Sequence, residues 1–491
     1  MSSKDSGTSS RASRTPAEAR AWLNPRVRKQ QLYRLAPRAP KLRLGVKDRW
    51  DHARSLMRAW VVWLALAVLL EASGLRGFAI ATGLLSFVLY HVTPRVHPAV
   101  YAVEASLPAG APEFALTVAG MTGMPLVPGN RVEILQNGDA FYPAMLTAIQ
   151  LATRSITLEQ YIFWRGRVGL AFAEALAERA RHGVAVKVLV DAIGSSIIGE
   201  EILATLEAGG VELAWFRPIH WYTLNRATLR THRKSLIVDG RVAFTGGAGL
   251  ADQWIGRARG PQEWRDTCVL VEGPAVHAQQ SGFAQNWMIT TGEMLSGDAY
   301  FPLPRGAGRV AVQTILSSPL GGAGAGGTMY LLALQCATRS IHIANPYFIP
   351  QPTVVQILRE ACRRGVNVQL MVAGAHIDSW WARYNSLRLY GRLLEAGVEI
   401  YEYQTSMLHQ KTMVIDGEWA TVGTANLDNR SFALNEETNL CFDDPELVAE
   451  LEAVFAADLT ACERIDHAAW HGRGRWRRMQ EAVASLIEDQ V

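Results

Sequence analysis

The chain has 491 residues, 49% of them apolar and 19% charged, with a formal net charge of +4. That length exceeds one ordinary hydrophobic core and implies more than one domain. Five scattered cysteines (Cys268, Cys336, Cys362, Cys441, Cys462), odd in number and without paired ligand spacing, argue against a disulfide framework and a zinc site, and for a reducing compartment.

The charge is unevenly placed. Residues 1–58 hold 15 Lys/Arg against 4 Asp/Glu, a local +11 that leaves −7 for the remainder. Residues 1–55 therefore read as a basic, disordered arm. Such an arm is drawn to anionic lipid headgroups, at about 1 kcal/mol per basic residue held near the surface. Nucleic acid would also suit it, but the segment that follows points to membrane.

That segment, residues 56–95, holds two apolar runs, Ala59–Ala72 and Gly77–Val92, separated by Ser73-Gly-Leu-Arg76. Each is shorter than the roughly 20 residues of a spanning helix. Trp60, Trp63 and Tyr90 lie near the outer ends, and Arg54, Arg58 and Arg95 flank them. Basic residues at both outer ends place both in the cytoplasm, which predicts a membrane helical hairpin that crosses and returns or dips in.

From about Gly120 the pattern turns to βα alternation. Strands are predicted over Arg131–Leu135, Ser155–Phe163 and Val184–Val190, and helices over Ala140–Ala152 and Leu170–His182. The order then repeats. Ala152-Thr-Arg-Ser-Ile156 recurs as Ala337-Thr-Arg-Ser-Ile341, and Leu206-Glu-Ala-Gly209 as Leu394-Glu-Ala-Gly397. A period near 180 residues is far too long for a solenoid and implies two similar α/β units, 96–305 and 306–491, joined near Pro302–Arg309. Gly321–Gly327 is glycine-rich without the Lys-Ser/Thr ending of a phosphate loop, and reads as a flexible connection.

Each unit carries one His-x-Lys-x-x-x-x-Asp motif: His232, Lys234 and Asp239, then His409, Lys411 and Asp416, every position offset by 177. Both sit in strand-like settings closed by glycine, with a further glycine turn seven residues beyond each aspartate (Gly246, Gly423). On a strand, residues i and i+2 share a face, so each motif presents an imidazole beside an ammonium. Two such pairs around one pocket suit phosphodiester chemistry without a metal. Lysines neutralise the non-bridging oxygens, one neutral imidazole attacks phosphorus, and the other donates to the leaving oxygen.

With these motifs, Asn137-Gly138, Tyr161-Ile-Phe163, Asn345-Pro-Tyr-Phe348 and Asn426-Leu-Asp-Asn-Arg-Ser431, the chain resembles the phospholipase D superfamily and, within it, the bacterial two-motif cardiolipin synthases. The resemblance runs from about Pro128 to about Ala461, with one departure: Gly249 stands where the family usually has asparagine, while the second copy keeps Asn426.

The resemblance implies an α/β fold of two duplicated α/β/α domains with the active site at their interface, preceded by the hairpin. It implies a phosphohistidine route with His232 as nucleophile and His409 as acid/base. Glu437 matches the family's downstream acidic residue and is expected to orient His409, leaving Asp266 for His232. Asn426 is expected to contact phosphate. Asp239 and Asp416 either cap turns at strand ends or support the site's lysines.

The expected reaction joins two phosphatidylglycerol molecules into cardiolipin and glycerol, with no cofactor and no metal, at the cytoplasmic side of the cell membrane. The anionic membrane surface is the expected partner, and nucleic acid is not. The aromatic stretch Trp215–Tyr222 and Trp380-Trp381 fit a lipid-facing site. Hydrolysis to phosphatidic acid, a nuclease-like phosphodiesterase and a non-catalytic scaffold are the alternatives. The intact histidines, lysines and aspartates of both motifs speak against the scaffold.

Overall fold

The computed structural model describes residues 60–92, 107–219, 228–319 and 324–471. The basic arm, the flanking Arg54, Arg58 and Arg95, the aromatic pair Trp221-Tyr222 and residues 321–323 lie outside them.

The two apolar runs form helices Trp60–Ala72 and Arg76–Val92, which pack on each other around Ala67, Ala79 and Ser86. Small residues let the backbones approach, while Val68, Leu69, Phe78, Ile80 and Leu84 are exposed on the outside. Among the described residues no helix is long and apolar enough to cross a membrane.

The rest is built on strands β1 (Leu126–Gln136), β2 (Ser155–Gln160), β3 (Ala185–Asp191), β4 (Glu212–Phe216), β5 (Arg230–Thr231), β6 (Ser235–Val238), β7 (Val242–Gly246), β8 (Trp264–Arg265) and β9 (Thr267–Glu272). The second half supplies β10 (Val310–Ser317), β11 (Ser340–Ala344), β12 (Asn367–Ala373), β13 (Glu399–Tyr403), β14 (Met407–Leu408), β15 (Thr412–Ile415), β16 (Trp419–Gly423), β17 (Asn435–Phe442) and β18 (Cys462–Arg464).

Antiparallel pairing of β1 with β10 joins the two halves into one sixteen-stranded sheet. Outward from that seam the first half runs β1-β9-β7-β6-β2-β3-β4 and the second β10-β17-β16-β15-β11-β12-β13, with β18 added at the far edge. The pairing sense repeats as well: β2-β3-β4 and β11-β12-β13 are parallel, and the other neighbours along these two paths are antiparallel. The duplication read from sequence is thus a duplication of topology.

Parallel strands are covered on both faces and read as continuous apolar runs. Accordingly Val186, Val188 and Val190 on β3, and Val368, Leu370 and Val372 on β12, are buried. One core cluster fills each half, and a third draws on both: Ile237, Ala243 and Val269 pack with Val414, Val422 and Leu440. The described part of the glycine-rich stretch differs from the flexible connection expected. Its Ala325-Gly-Gly327 opens the buried helix Ala325–Cys336, and Gly326 donates its N–H to Ser317 Oγ at 2.9 Å. A side chain at Gly326 would meet that oxygen at 2.6 Å, so the glycine serves close packing rather than flexibility.

Candidate active site

The motif histidines lie at the carboxyl ends of the parallel strands, where open α/β sheets place their ligands. Ser235, just after the first motif's lysine, pairs with Glu159 near the end of β2, and Thr412 pairs with Ala344 at the end of β11. Each histidine follows a two-residue strand that pairs with the opposite half. β5 runs parallel to β17, and His232 N donates to Glu436 O at 2.9 Å. β14 runs parallel to β8, and His409 N donates to Arg265 O at 2.7 Å.

Crossed backbones bring crossed carboxylates. His232 Nδ1 lies 3.0 Å from Glu437, and His409 Nδ1 lies 2.8 Å from Asp266. This corrects the expected pairing, which gave Glu437 to His409 and Asp266 to His232. Spacing along the chain places each acid downstream of the histidine in its own half; strand pairing between the halves places it against the other. A carboxylate acceptor holds the proton on Nδ1 and leaves Nε2 as the free base.

Both acids are themselves held. Glu437 accepts from Thr424 Oγ1 and from Asn435 Nδ2, the latter at 3.2 Å. Asp266 accepts from Trp254 Nε1 and from Thr267 N, each at 2.8 Å, and Asn137 Oδ1 braces its backbone N–H at 3.3 Å.

The lysines share the histidines' surroundings. Lys234 Nζ donates to His232 O at 2.9 Å and lies 5.4 Å from the Tyr161 ring centroid. Lys411 Nζ is 3.1 Å and 3.3 Å from the two ring nitrogens of His409 and also bonds its carbonyl. Aromatic rings wall both imidazoles: Tyr161 at 5.1 Å from His232, and Trp264, Trp254 and Tyr347 at 5.2, 5.3 and 6.4 Å from His409.

Burial dominates the electrostatics. It pushes His232 down to about 4, with Glu437 opposing and Lys234 adding to the fall. It pushes His409 down to about 3, assisted by Lys411 and opposed by Asp266. Lys234 falls to about 7 and Lys411 to about 8, again by burial, against the pull of Glu437 and Asp266. Each lysine also acts across the seam, Lys411 on His232 and Lys234 on His409, so the two pairs share one electrostatic neighbourhood. Burial raises Asp266 and Glu437, but the histidine facing each, a nearby lysine and a further hydrogen bond (Trp254 to Asp266, Thr424 to Glu437) together outweigh it, and both carboxyls titrate below their ordinary value. At neutral pH both imidazoles are neutral bases, and the two lysines share the pocket with the ionised carboxylates of Asp266 and Glu437.

Of the two roles expected for the motif aspartates, turn-capping or support of the catalytic lysines, the contacts show the first. Asp239 sits in the left-handed region at φ 53°, and its carboxylate accepts from the N–H groups of Thr153, Arg154 and Ser155 at the start of β2, away from the histidines. Asp416, at φ 57°, does the same for Thr338, Arg339 and Ser340 ahead of β11. They close turns, as aspartate does well in this conformation.

Asn426 is buried, and its Oδ1 has no partner among the described residues. At Gly249, the matching place in the first half, a Cβ would lie 2.7 Å from Ile162 Cβ and 3.1 Å from Ile162 O. Ile162 fills the space an asparagine would need.

Several contributors were not singled out from sequence. Thr424 directly follows Gly423 and Asn435 stands two residues before Glu437, so both were within reach. Trp254 carries no local signal, because only the fold brings it to Asp266.

Both halves of the chain resemble known proteins. Residues 145–287 and 330–459 match the family model described as cardiolipin synthase, PLD-like domain. The cardiolipin synthase of Geobacillus kaustophilus is 34% identical over 366 residues, covering 74% of this chain and 73% of that one. A probable cardiolipin synthase of Bacillus subtilis is 32% identical over 359 residues, covering 73% and 72%. Among solved structures, a phosphatidylserine synthase of Haemophilus influenzae superposes with a TM-score of 0.55 at 13% identity, covering 77% of this chain and all of that one, a likeness of fold.

Proposed function

We infer the route of this chain's reaction from the premise that it belongs to the cardiolipin synthase family, whose phospholipase D-like domain it matches in both halves. It is a phosphatidyltransferase that makes cardiolipin from phospholipid. In the route we propose, the halves 96–305 and 306–491 form one site on phosphatidylglycerol. His232 Nε2 attacks phosphorus as the P–O bond to the glycerol headgroup breaks, and His409 gives that glycerol its proton. A hydroxyl of a second phosphatidylglycerol then loses its proton to His409 and attacks the phosphohistidine. Cardiolipin leaves and His232 is restored. One phosphodiester is broken and one formed, so no energy donor is needed.

The observation that carries this reading is the pair of crossed carboxylate–imidazole contacts, Glu437 with His232 and Asp266 with His409. Each fixes a tautomer with Nε2 available, and each acid stabilises the imidazolium that forms during turnover. Burial keeps His409 neutral at pH 7. A phosphodiester anion entering between Lys234 and Lys411 replaces lost solvation and favours the cationic forms, so protonation of His409 accompanies binding. Asn426, with its unpartnered Oδ1, is placed in this reading against the lipid's headgroup hydroxyls or the protonated leaving group.

We place the chain on the inner membrane, with the site on the cytoplasmic side. Helices of 13 and 17 residues measure about 20 and 26 Å, less than the roughly 30 Å hydrocarbon core. A hairpin of that length enters and returns, with its exposed leucines, phenylalanines and isoleucine in acyl chains. The test is incubation of purified protein with vesicles containing labelled phosphatidylglycerol. Cardiolipin and free glycerol are expected; phosphatidic acid as the sole product refutes the acceptor, and lipid turnover by His232→Ala or His409→Ala refutes the paired-histidine route.

A further inference from the structure

The two halves are not equal at the mouth of the site. In the first half the loop after β3, residues 192–199, has no acidic side chain, and Asp191 at its base is buried under the N–H groups of Ile193, Gly194 and Thr231. In the second half the loop after β12, residues 374–379, carries Asp378, which is exposed. Tyr347 OH donates to the Asp378 carboxylate, and the Tyr347 ring stands edge-on to His409 with centroids 6.4 Å apart. Asp378 is also near enough to Lys411 to act on its charge. The loop is fixed at both ends. Arg383 holds its first carbonyls, and Ser379 Oγ caps the helix Trp380–Leu394 by accepting from Ala382 N at 3.3 Å.

A carboxylate at the edge of a phosphate pocket repels the phosphate and has no use in holding it. What a fixed carboxylate binds well is hydroxyl, through charge-assisted O–H···O⁻ bonds. The side of the site it occupies is that of His409, the group that must receive a proton from the incoming alcohol. We propose that Asp378 is the acceptor-headgroup site of this enzyme: it binds the spare hydroxyl of a glycerol headgroup while the neighbouring hydroxyl is presented to His409. This rests on the reading of His409 as acid/base and deepens it, because it explains how a glycerol-headed lipid outcompetes water and simple alcohols. A monohydric alcohol has no second hydroxyl to offer, so it gains nothing from Asp378.

The experiment compares two acceptors on one donor in the full-length protein. Vesicles of phosphatidylglycerol are supplied with labelled glycerol and 1-propanol together, and headgroup exchange, phosphatidylpropanol and cardiolipin are measured for wild type, Asp378→Ala and Asp378→Asn. Losing one charge-assisted bond lowers the glycerol-to-propanol product ratio by about 10- to 100-fold in Asp378→Ala, and cardiolipin output falls with it. Asp378→Asn keeps one acceptor oxygen and falls between. Phosphatidylpropanol formation persists in both, which also certifies the fold. An unchanged ratio, or equal loss with both acceptors, overturns the proposal and leaves the paired-histidine route standing. A wild type yielding only phosphatidic acid overturns both.

Discussion

The crossing of carboxylates between halves makes a test that spacing along the chain would answer the other way. Consider Asp266→Asn. Asp266 accepts three bonds, from His409 Nδ1, Trp254 Nε1 and Thr267 N, all at 2.8 Å. An amide has one acceptor oxygen, so one donor must face its NH₂ group. If the oxygen stays toward His409 and Trp254, the Thr267 N–H is orphaned at a cost of about 1–3 kcal/mol in stability. The imidazolium also loses its counter-charge, a charge-assisted bond worth about 1.5–3 kcal/mol, or roughly 10- to 150-fold in rate. If the amide turns the other way it forces the wrong tautomer, which in Ser-His-Asp enzymes costs up to about 10⁴-fold.

The assay uses two donors, phosphatidylglycerol, whose glycerol must be protonated as it leaves, and a p-nitrophenyl phosphodiester, which needs no acid. A variant impaired at the acid is rescued by the second donor; one impaired at the nucleophile is not. Asp266→Asn should behave like His409→Ala in this comparison, and Glu437→Gln like His232→Ala, whichever histidine is the nucleophile. Grouping of Asp266→Asn with His232→Ala would refute the crossed arrangement.

Acid should weaken the protein through the same pair. Burial holds the folded values of His232 and His409 at about 4 and about 3, below the roughly 6.5 of an unfolded histidine. Because the unfolded chain binds the protons first, this stability is present above about pH 6.5 and is lost as pH falls toward the folded values. Melting temperature should therefore drop between pH 6.5 and 4, and His232→Ala should flatten that slope. Gly249→Asn should destabilise by about 1–3 kcal/mol, since its Cβ meets Ile162, and a second change, Ile162→Ala, should recover the loss in thermal melts. Asp239→Ala removes a cap on three N–H groups and should cost about 1–3 kcal/mol, with the activity of the folded fraction retained.

What the sequence disclosed follows from what is local. The strand of each motif, the i, i+2 placement of His and Lys, the two short apolar helices and the duplicated order of elements all rest on periodicity and repetition, and each appears in the fold. The carboxylate partners did not follow. In a pseudo-symmetric pair, Asp266 lies 34 residues after His232 and Glu437 lies 28 after His409, distances equally compatible with either pairing. Only the parallel pairing of β5 with β17 and β14 with β8 decides it. For Asp239 and Asp416 the sequence left turn-capping and support of the lysines both open; their positive φ, invisible in sequence, goes with turns.

The residue between histidine and lysine shows why chemistry and the joining of the halves cannot be separated. Strand alternation turns it away from the pocket. Arg233 reaches Gly282 O at 2.8 Å, Ser317 O at 3.3 Å and Glu436 at 3.3 Å, all but the first contributed by the second half. Gln410 accepts from Thr267 Oγ1 at 2.7 Å and donates to Asp458 at 2.7 Å, and Asp458 in turn receives Arg265 Nε at 2.9 Å. Each motif strand thus has one face in the pocket and the other in the seam. These buried polar bonds add little net stability beside apolar packing, yet breaking one partner is expensive. They specify register: a slip of one residue along β5 or β14 would turn the imidazole into the seam and the arginine or glutamine into the pocket. Fixing that register sets both histidines at once, because the strand that carries each one is read against the half that supplies its acid.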